Sequence, residues 1–116
     1  AATDTVWDAV YSCWGAIWFT DPERLLPLIA PRLAPGGVLV FAHAEALEGY
    51  YGPQGIYAYG LRGPRRLEVR WAYTPDTWAD LLKHHGFTDI DTRLEAPDPQ
   101  NVRTLLVRAR SVPGGY

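Results

Sequence analysis

The sequence predicts one small α/β domain, a sheet of mixed strands with helices packed on it. Three observations carry this. First, Leu33-Ala34-Pro35-Gly36-Gly37-Val38-Leu39-Val40-Phe41 reads as a helix end, a two-glycine turn and a strand. Val38 to Phe41 is an unbroken apolar run rich in β-branched residues, which suits a strand covered on both faces, as in a parallel sheet. Second, Thr20-Asp21-Pro22-Glu23 and Thr74-Pro75-Asp76-Thr77 are helix starts set between strand-like runs: a capping side chain, a proline in the first turn and acid at the positive dipole end. Third, Phe87 to Leu94 alternates with period two, and Val102 to Ala109 follows a Pro97-Asp98-Pro99 turn. These two runs predict an antiparallel pair that closes the domain.

The chain has 116 residues, 47% of them hydrophobic, enough for one core and no more. A net charge of -2 offers no general attraction to nucleic acid or to an anionic membrane. Cys13 is alone, so no intrachain disulfide forms, and no signal peptide or membrane-length apolar run is visible. Together these point to a reducing, cytoplasmic setting. The sequence holds no methionine, so Ala1 is expected to be a processed end, a cut end or the first ordered residue. Lys83 is the sole lysine among the basic side chains, a signature of GC-rich codons.

In chain order, Ala1 to Thr5 is a loose lead-in and Trp7 to Ser12 a strand. Cys13 to Phe19 is apolar and aromatic with Gly15 inside it, and predicts a loop or one helical turn over the sheet edge. The first helix is expected to run from Pro22 to about Ala34, with Leu25, Leu28, Ile29 and Leu33 as its stripe. Pro27 and Pro31 lie past its first turn, which predicts a kink or a tightened segment. A right-handed crossover then makes the two strands parallel. Ala46 to Arg66 interleaves five glycines with Tyr50, Tyr51, Tyr57 and Tyr59, and reads as a long irregular loop. Arg65 to Tyr73 alternates and reads as extended. Trp78, Leu81, Leu82 and His85 mark the inner side of the second helix, which Gly86 ends. The tail from Val112 is expected to fray.

Asp8-Ala9-Val10-Tyr11-Ser12, then Trp18-Phe19-Thr20-Asp21-Pro22, then the stretch Leu33 to Phe41, resemble class I S-adenosylmethionine-dependent methyltransferases. In that family D-x-V-x-S lies on the fourth strand, and L-x-P-G-G-x-L-x-F joins a crossover helix to the fifth. Tyr73 to Trp78 and His84 to Ile90 resemble the next helix and the sixth strand. The flavour is that of actinobacterial small-molecule enzymes, and the likeness covers nearly the whole chain. It implies a partial Rossmann-like, three-layer sheet of strands four to seven, with S-adenosyl-L-methionine as cofactor and a small-molecule acceptor.

The family's glycine-rich turn after the first strand has no counterpart here, because no G-x-G-x-G occurs. Ile17 also departs from the His or Gln that relatives often carry. Residues 1-116 therefore read as the carboxyl-terminal part of a methyltransferase domain without its amino-terminal cofactor half. Strand 7-12 would then be an open apolar edge, expected to be covered by the missing half or by a second copy. The alternative function is a non-enzymatic dimerising or partner-binding half-domain.

The candidate residues follow from this placement. His43, just past the central strand, is either a general base beside the transferred methyl group or a hydrogen-bonded histidine at a strand end. Ser12, Cys13, Trp14 and Trp18 are the expected cofactor-binding residues by resemblance; the two tryptophans are also open to a core role, Trp18 equally so. Tyr50, Tyr51 and Tyr57 line a substrate pocket or pin the loop to the body. Arg62, Arg65, Arg66 and Arg70 form a basic cluster, either solvated or reading an acidic substrate. His43-Ala44-Glu45 matches the H-x-E of zinc deaminases, but the required P-C-x-x-C is missing. His84 and His85 are adjacent and do not share a helix face, so no metal site is expected.

Overall fold

In the computed structural model, residues 5–59, 65–96 and 102–111 are described. The residues before Thr5, the Pro97-Asp98-Pro99 turn, the tail from Val112 and Arg62 lie outside them. So do the side chains of Tyr57, Tyr59, Arg65 and Arg66.

The chain forms β1 (Trp7–Cys13), α1 (Ala16–Phe19), α2 (Pro22–Ile29), a 3-10 turn (Ala30–Arg32) and β2 (Leu33–Ala44). It continues with β3 (Gly52–Tyr59), β4 (Arg65–Ala72), α3 (Pro75–His84), β5 (Phe87–Glu95) and β6 (Thr104–Ser111). Four strands form one sheet in the order β1-β2-β6-β5, and β3-β4 is a separate pair. β1 runs parallel to β2, and the other neighbours are antiparallel. The last strand thus enters between β2 and β5.

Each helix starts where its cap chemistry sits. The Asp21 carboxylate accepts from the Glu23 N–H at 2.9 Å, and the Thr74 hydroxyl accepts from the Thr77 N–H at 3.2 Å. α2 stops at Ile29, earlier than Ala34, because Pro31 cannot extend it, and the chain tightens into the 3-10 turn. The two glycines do different work. Gly36 takes φ 74°, while a Cβ on Gly37 would lie 2.8 Å from the Ala34 carbonyl and 3.2 Å from that of Asp8. Both sit in a bulge of β2, where the partners jump from Trp7–Leu33 to Ala9–Val38.

The long irregular loop expected over Ala46 to Arg66 is corrected. Gly52–Tyr59 is a strand, in register with Arg65–Ala72 from Gly52–Ala72 to Tyr59–Arg65. Glycine and proline at 52, 53 and 55 hide it from propensity, and the pairing supplies what propensity lacks.

The core joins Ile17, Leu26, Leu39, Phe41, Trp78, Leu82, Leu105 and Val107. The three helices therefore contribute buried side chains to a single face of the sheet. β2 alternates between buried and half-buried residues rather than being sealed on both sides. Among the described residues the sheet carries one covering layer, not the two expected. No helix among them is long and apolar enough to cross a membrane.

Candidate functional site

The carboxyl ends of β1 and β2 and the hairpin β3–β4 meet at one edge. β1 leads into a turn in which Trp14 takes φ 55°, a conformation that is rare and strained for a bulky residue. The Trp14 N–H donates to the Ala42 carbonyl at 2.8 Å, which fastens the turn to β2. The Ser12 hydroxyl accepts from the Ile17 N–H at 3.3 Å and so anchors α1. Cys13 is exposed, and Trp14 is 46% exposed. The Trp14 ring meets Trp18 edge to face at 5.5 Å.

Trp18 begins a column that runs into the core. Its ring lies parallel to His43 with centroids 5.3 Å apart, and His43 stacks on Phe41 at 5.6 Å. Phe41 meets Trp78 at 4.8 Å. On the outer side the Arg70 guanidinium lies 4.0 Å from the centre of the Trp18 ring. α1 packs against β4, and this contact sets Arg70 over the column. His43 is only 2% exposed, and burial lowers its pKa to about 4. At neutral pH it is an uncharged ring inside an aromatic stack.

Two clefts open beside the column. One, of about 390 Å³, lies between the hairpin and the 45–50 segment, with Trp18, Tyr50, Gln54 and Arg70 in its walls. The other, of about 410 Å³, is bounded by Tyr51, Tyr73, Glu45 and Arg103. Glu45 lines both. Its carboxylate accepts from the Arg103 Nε at 3.0 Å and the Arg103 backbone N–H at 3.0 Å, and this pairing holds it below the usual carboxylate range. Burial, followed by the charges of Asp21 and Glu23, pushes the Tyr73 hydroxyl up.

Of the residues singled out from sequence, Ser12, Cys13 and Trp14 lie together in the turn. Trp18 sits below Arg70 rather than in the open. Tyr50 and Tyr51 flank different clefts, and the Tyr57 side chain lies outside the described residues. Sequence reasoning missed Gln54, Tyr73 and the Glu45–Arg103 pair. Arg70 was visible only as one of four basic residues. No group of three or more His, Cys, Asp or Glu able to hold a metal occurs among the described residues.

No family model and no curated protein matches the chain. Solved structures do match. One is the Burkholderia thailandensis 1,6-didemethyltoxoflavin-N1-methyltransferase with bound 1,6-didemethyltoxoflavin and S-adenosylhomocysteine. It has a TM-score of 0.68 at 18% identity, over 97% of this chain and 47% of that one. A second is the glycopeptide N-methyltransferase MtfA with S-adenosylmethionine, at a TM-score of 0.66 and 19% identity, over 98% and 57%. A third is an S-adenosylmethionine-dependent methyltransferase from Clostridium acetobutylicum, at 0.65 and 12%, over 97% and 61%. The chain thus spans about half the length of these structures, and over that half it has the fold of S-adenosylmethionine-dependent methyltransferases.

Proposed function

We propose that this chain is the carboxyl-side part of an enzyme that transfers a methyl group from S-adenosylmethionine to a small molecule. An amino-side half completes it along the open edge of β1. The observation that carries the reading is the turn after β1. There a half-exposed Trp14 is kept at φ 55° at the carboxyl edge of two parallel strands. Ligands of open α/β sheets bind at that edge, and backbone strain gathers at ligand sites. The fold likeness adds an argument by analogy.

The residues present fit one wall of a cofactor site. Ser12, Cys13 and Trp14 offer backbone groups and an aromatic face at the edge. S-adenosylmethionine, when bound, supplies a methyl group on a positively charged sulfur. This chain's part is to hold the two reactants in line and keep water out, and alignment of that kind supplies much of the acceleration in a displacement at carbon. Trp18, clamped between Arg70 and His43, forms the wall between the turn and the 390 Å³ cleft, where the acceptor lies beside Tyr50. In this arrangement His43 supports Trp18 and does not act as a base, since the Trp18 ring seals it from any acceptor. Tyr51, across Glu45, is outside the acceptor cleft. The amino-side half is favoured over a second copy of this chain because the fold's solved examples are about twice as long. That half also supplies the second covering layer.

The test is methyl transfer itself. The chain joined to its in-frame upstream sequence is incubated with S-adenosylmethionine and a library of small acceptors, and S-adenosylhomocysteine is measured. Product from the joined protein and none from residues 1–116 alone is expected. No product with any acceptor, together with no cofactor binding, would overturn the reading.

A further inference from the structure

We infer that the cleft beside Trp18 takes an acceptor bearing a carboxylate on a flat apolar body, and that Arg70 reads the carboxylate. The inference rests on the proposed methyl transfer for the word acceptor, but its physical basis is independent of it.

The Arg70 Nε is buried and has no hydrogen-bond partner. The other arginines with described partners behave differently. Arg103 is tied to Glu45, Arg93 to Asp91, and Arg110 reaches Asp89 and the Gly36 carbonyl. A buried guanidinium N–H without an acceptor is costly, and native structures rarely leave one unexplained. The Arg70 guanidinium lies over the Trp18 ring at 4.0 Å, a cation–π contact rather than a hydrogen bond. Arg70 is one of the residues that line the 390 Å³ cleft.

The cleft selects further. Its lining is mostly apolar, including Leu47, Ala72 and Val102 beside Tyr50. Gln54 is the cross-strand partner of Arg70, but its Nε2 already donates to the Tyr51 carbonyl at 2.8 Å. A single planar fork in apolar surroundings matches a carboxylate, which accepts two parallel N–H bonds. The acids nearby do not cancel Arg70. Glu45 lines the same cleft with its charge met by Arg103, and Glu68, two residues along β4, pairs in register with Ile56 outside the cleft lining.

The test needs no cofactor and no turnover. The 116-residue chain is titrated calorimetrically with 1-naphthoate and with its uncharged isostere 1-naphthamide. Naphthoate is expected to bind about tenfold or more tightly, the scale of a hydrogen-bonded charge. Arg70→Gln should abolish that preference, and Arg70→Lys should keep part of it. Near-UV dichroism of both variants checks that the tryptophan column stays folded. Equal binding of the two probes, binding of neither, or a preference that survives Arg70→Gln would overturn the inference. A positive result beside a failed cofactor titration would leave a carboxylate-binding cleft and remove the methyltransferase reading. The reverse pattern would keep the enzyme and remove the acidic acceptor.

Discussion

The face of the sheet turned away from the helices is divided. Towards β5 and β6 it is charged. Arg93 pairs with Asp91 at 2.6 Å, Arg110 with Asp89 at 3.4 Å, and Arg108 is exposed beside them. Towards β1 and β2 it is apolar, with Ala9, Tyr11 and Cys13 in register with Val38, Val40 and Ala42. Tyr11 is 82% exposed and Trp7 44%. Charged side chains on an open face are stable in water and resist association, whereas an apolar edge invites pairing. Among the described residues one end of this face is charged and the other presents apolar side chains to solvent. That asymmetry is the physical content of the claim that β1 joins a further half.

The contrast can be sharpened by substitutions, starting with the covered face. Trp78→Ala removes a fully buried ring from the core. It should cost about 3–5 kcal/mol in denaturant unfolding, and a loss below about 1 kcal/mol would mean the described core does not hold the fold together.

The His43 burial predicts a pH dependence of similar size. Its pKa falls to about 4 in the folded chain, against about 6.5 when unfolded. The unfolded state therefore binds more protons between these values. Stability is complete above pH 6.5 and is lost as pH falls towards 4, by about 3 kcal/mol in total. Glu45, held low by Arg103, contributes in the same direction. His43→Phe keeps the stack and should flatten the slope over that window. An unchanged slope would show that His43 is not the group responsible.

At the bulge, Gly37→Ala crowds the Ala34 and Asp8 carbonyls and should cost about 1–3 kcal/mol. Gly36→Ala meets no atoms but carries a left-handed φ, for about 1 kcal/mol. The reverse ranking in thermal melts would contradict the close approach of β1 to β2. The smallest effect on stability belongs to the open edge. Tyr11→Ser should change unfolding by no more than about 0.5 kcal/mol and reduce concentration-dependent association seen by sedimentation. A large loss of stability would mean that Tyr11 is packed within the chain itself.

The fold was legible where local chemistry and tertiary structure agree. Thr74-Pro75 and Asp21-Pro22 cap their helices, Val38 to Phe41 lies in a strand, and β5 and β6 pair as their alternation implies, whereas Leu33 to Gly37, read as a helix end and turn, is already strand with a bulge. It was illegible where pairing overrides propensity, as in the glycine-rich β3. It was also illegible in how many faces of β2 are covered, since the Val38–Phe41 run reads the same for a strand sealed on one face or on two. The site followed the same division. The turn Ser12–Trp14 could be found because it follows a recognisable strand. The stack of Arg70 on Trp18 joins residues 52 positions apart through a hairpin that the sequence did not reveal.

The most direct measurement is a calorimetric titration of S-adenosylhomocysteine, made on residues 1–116 alone, on the chain joined to its upstream sequence, and on the joined protein carrying Trp14→Gly. The glycine relieves the φ of 55° and removes the exposed ring, so it should hold or raise stability by about 1 kcal/mol. The account predicts no binding to the chain alone, one site in the joined protein, and at least tenfold weaker binding in the glycine variant, the fold-change of a lost contact of about 1.4 kcal/mol. Equal binding by the chain alone, or a joined protein indifferent to Trp14→Gly, would contradict it.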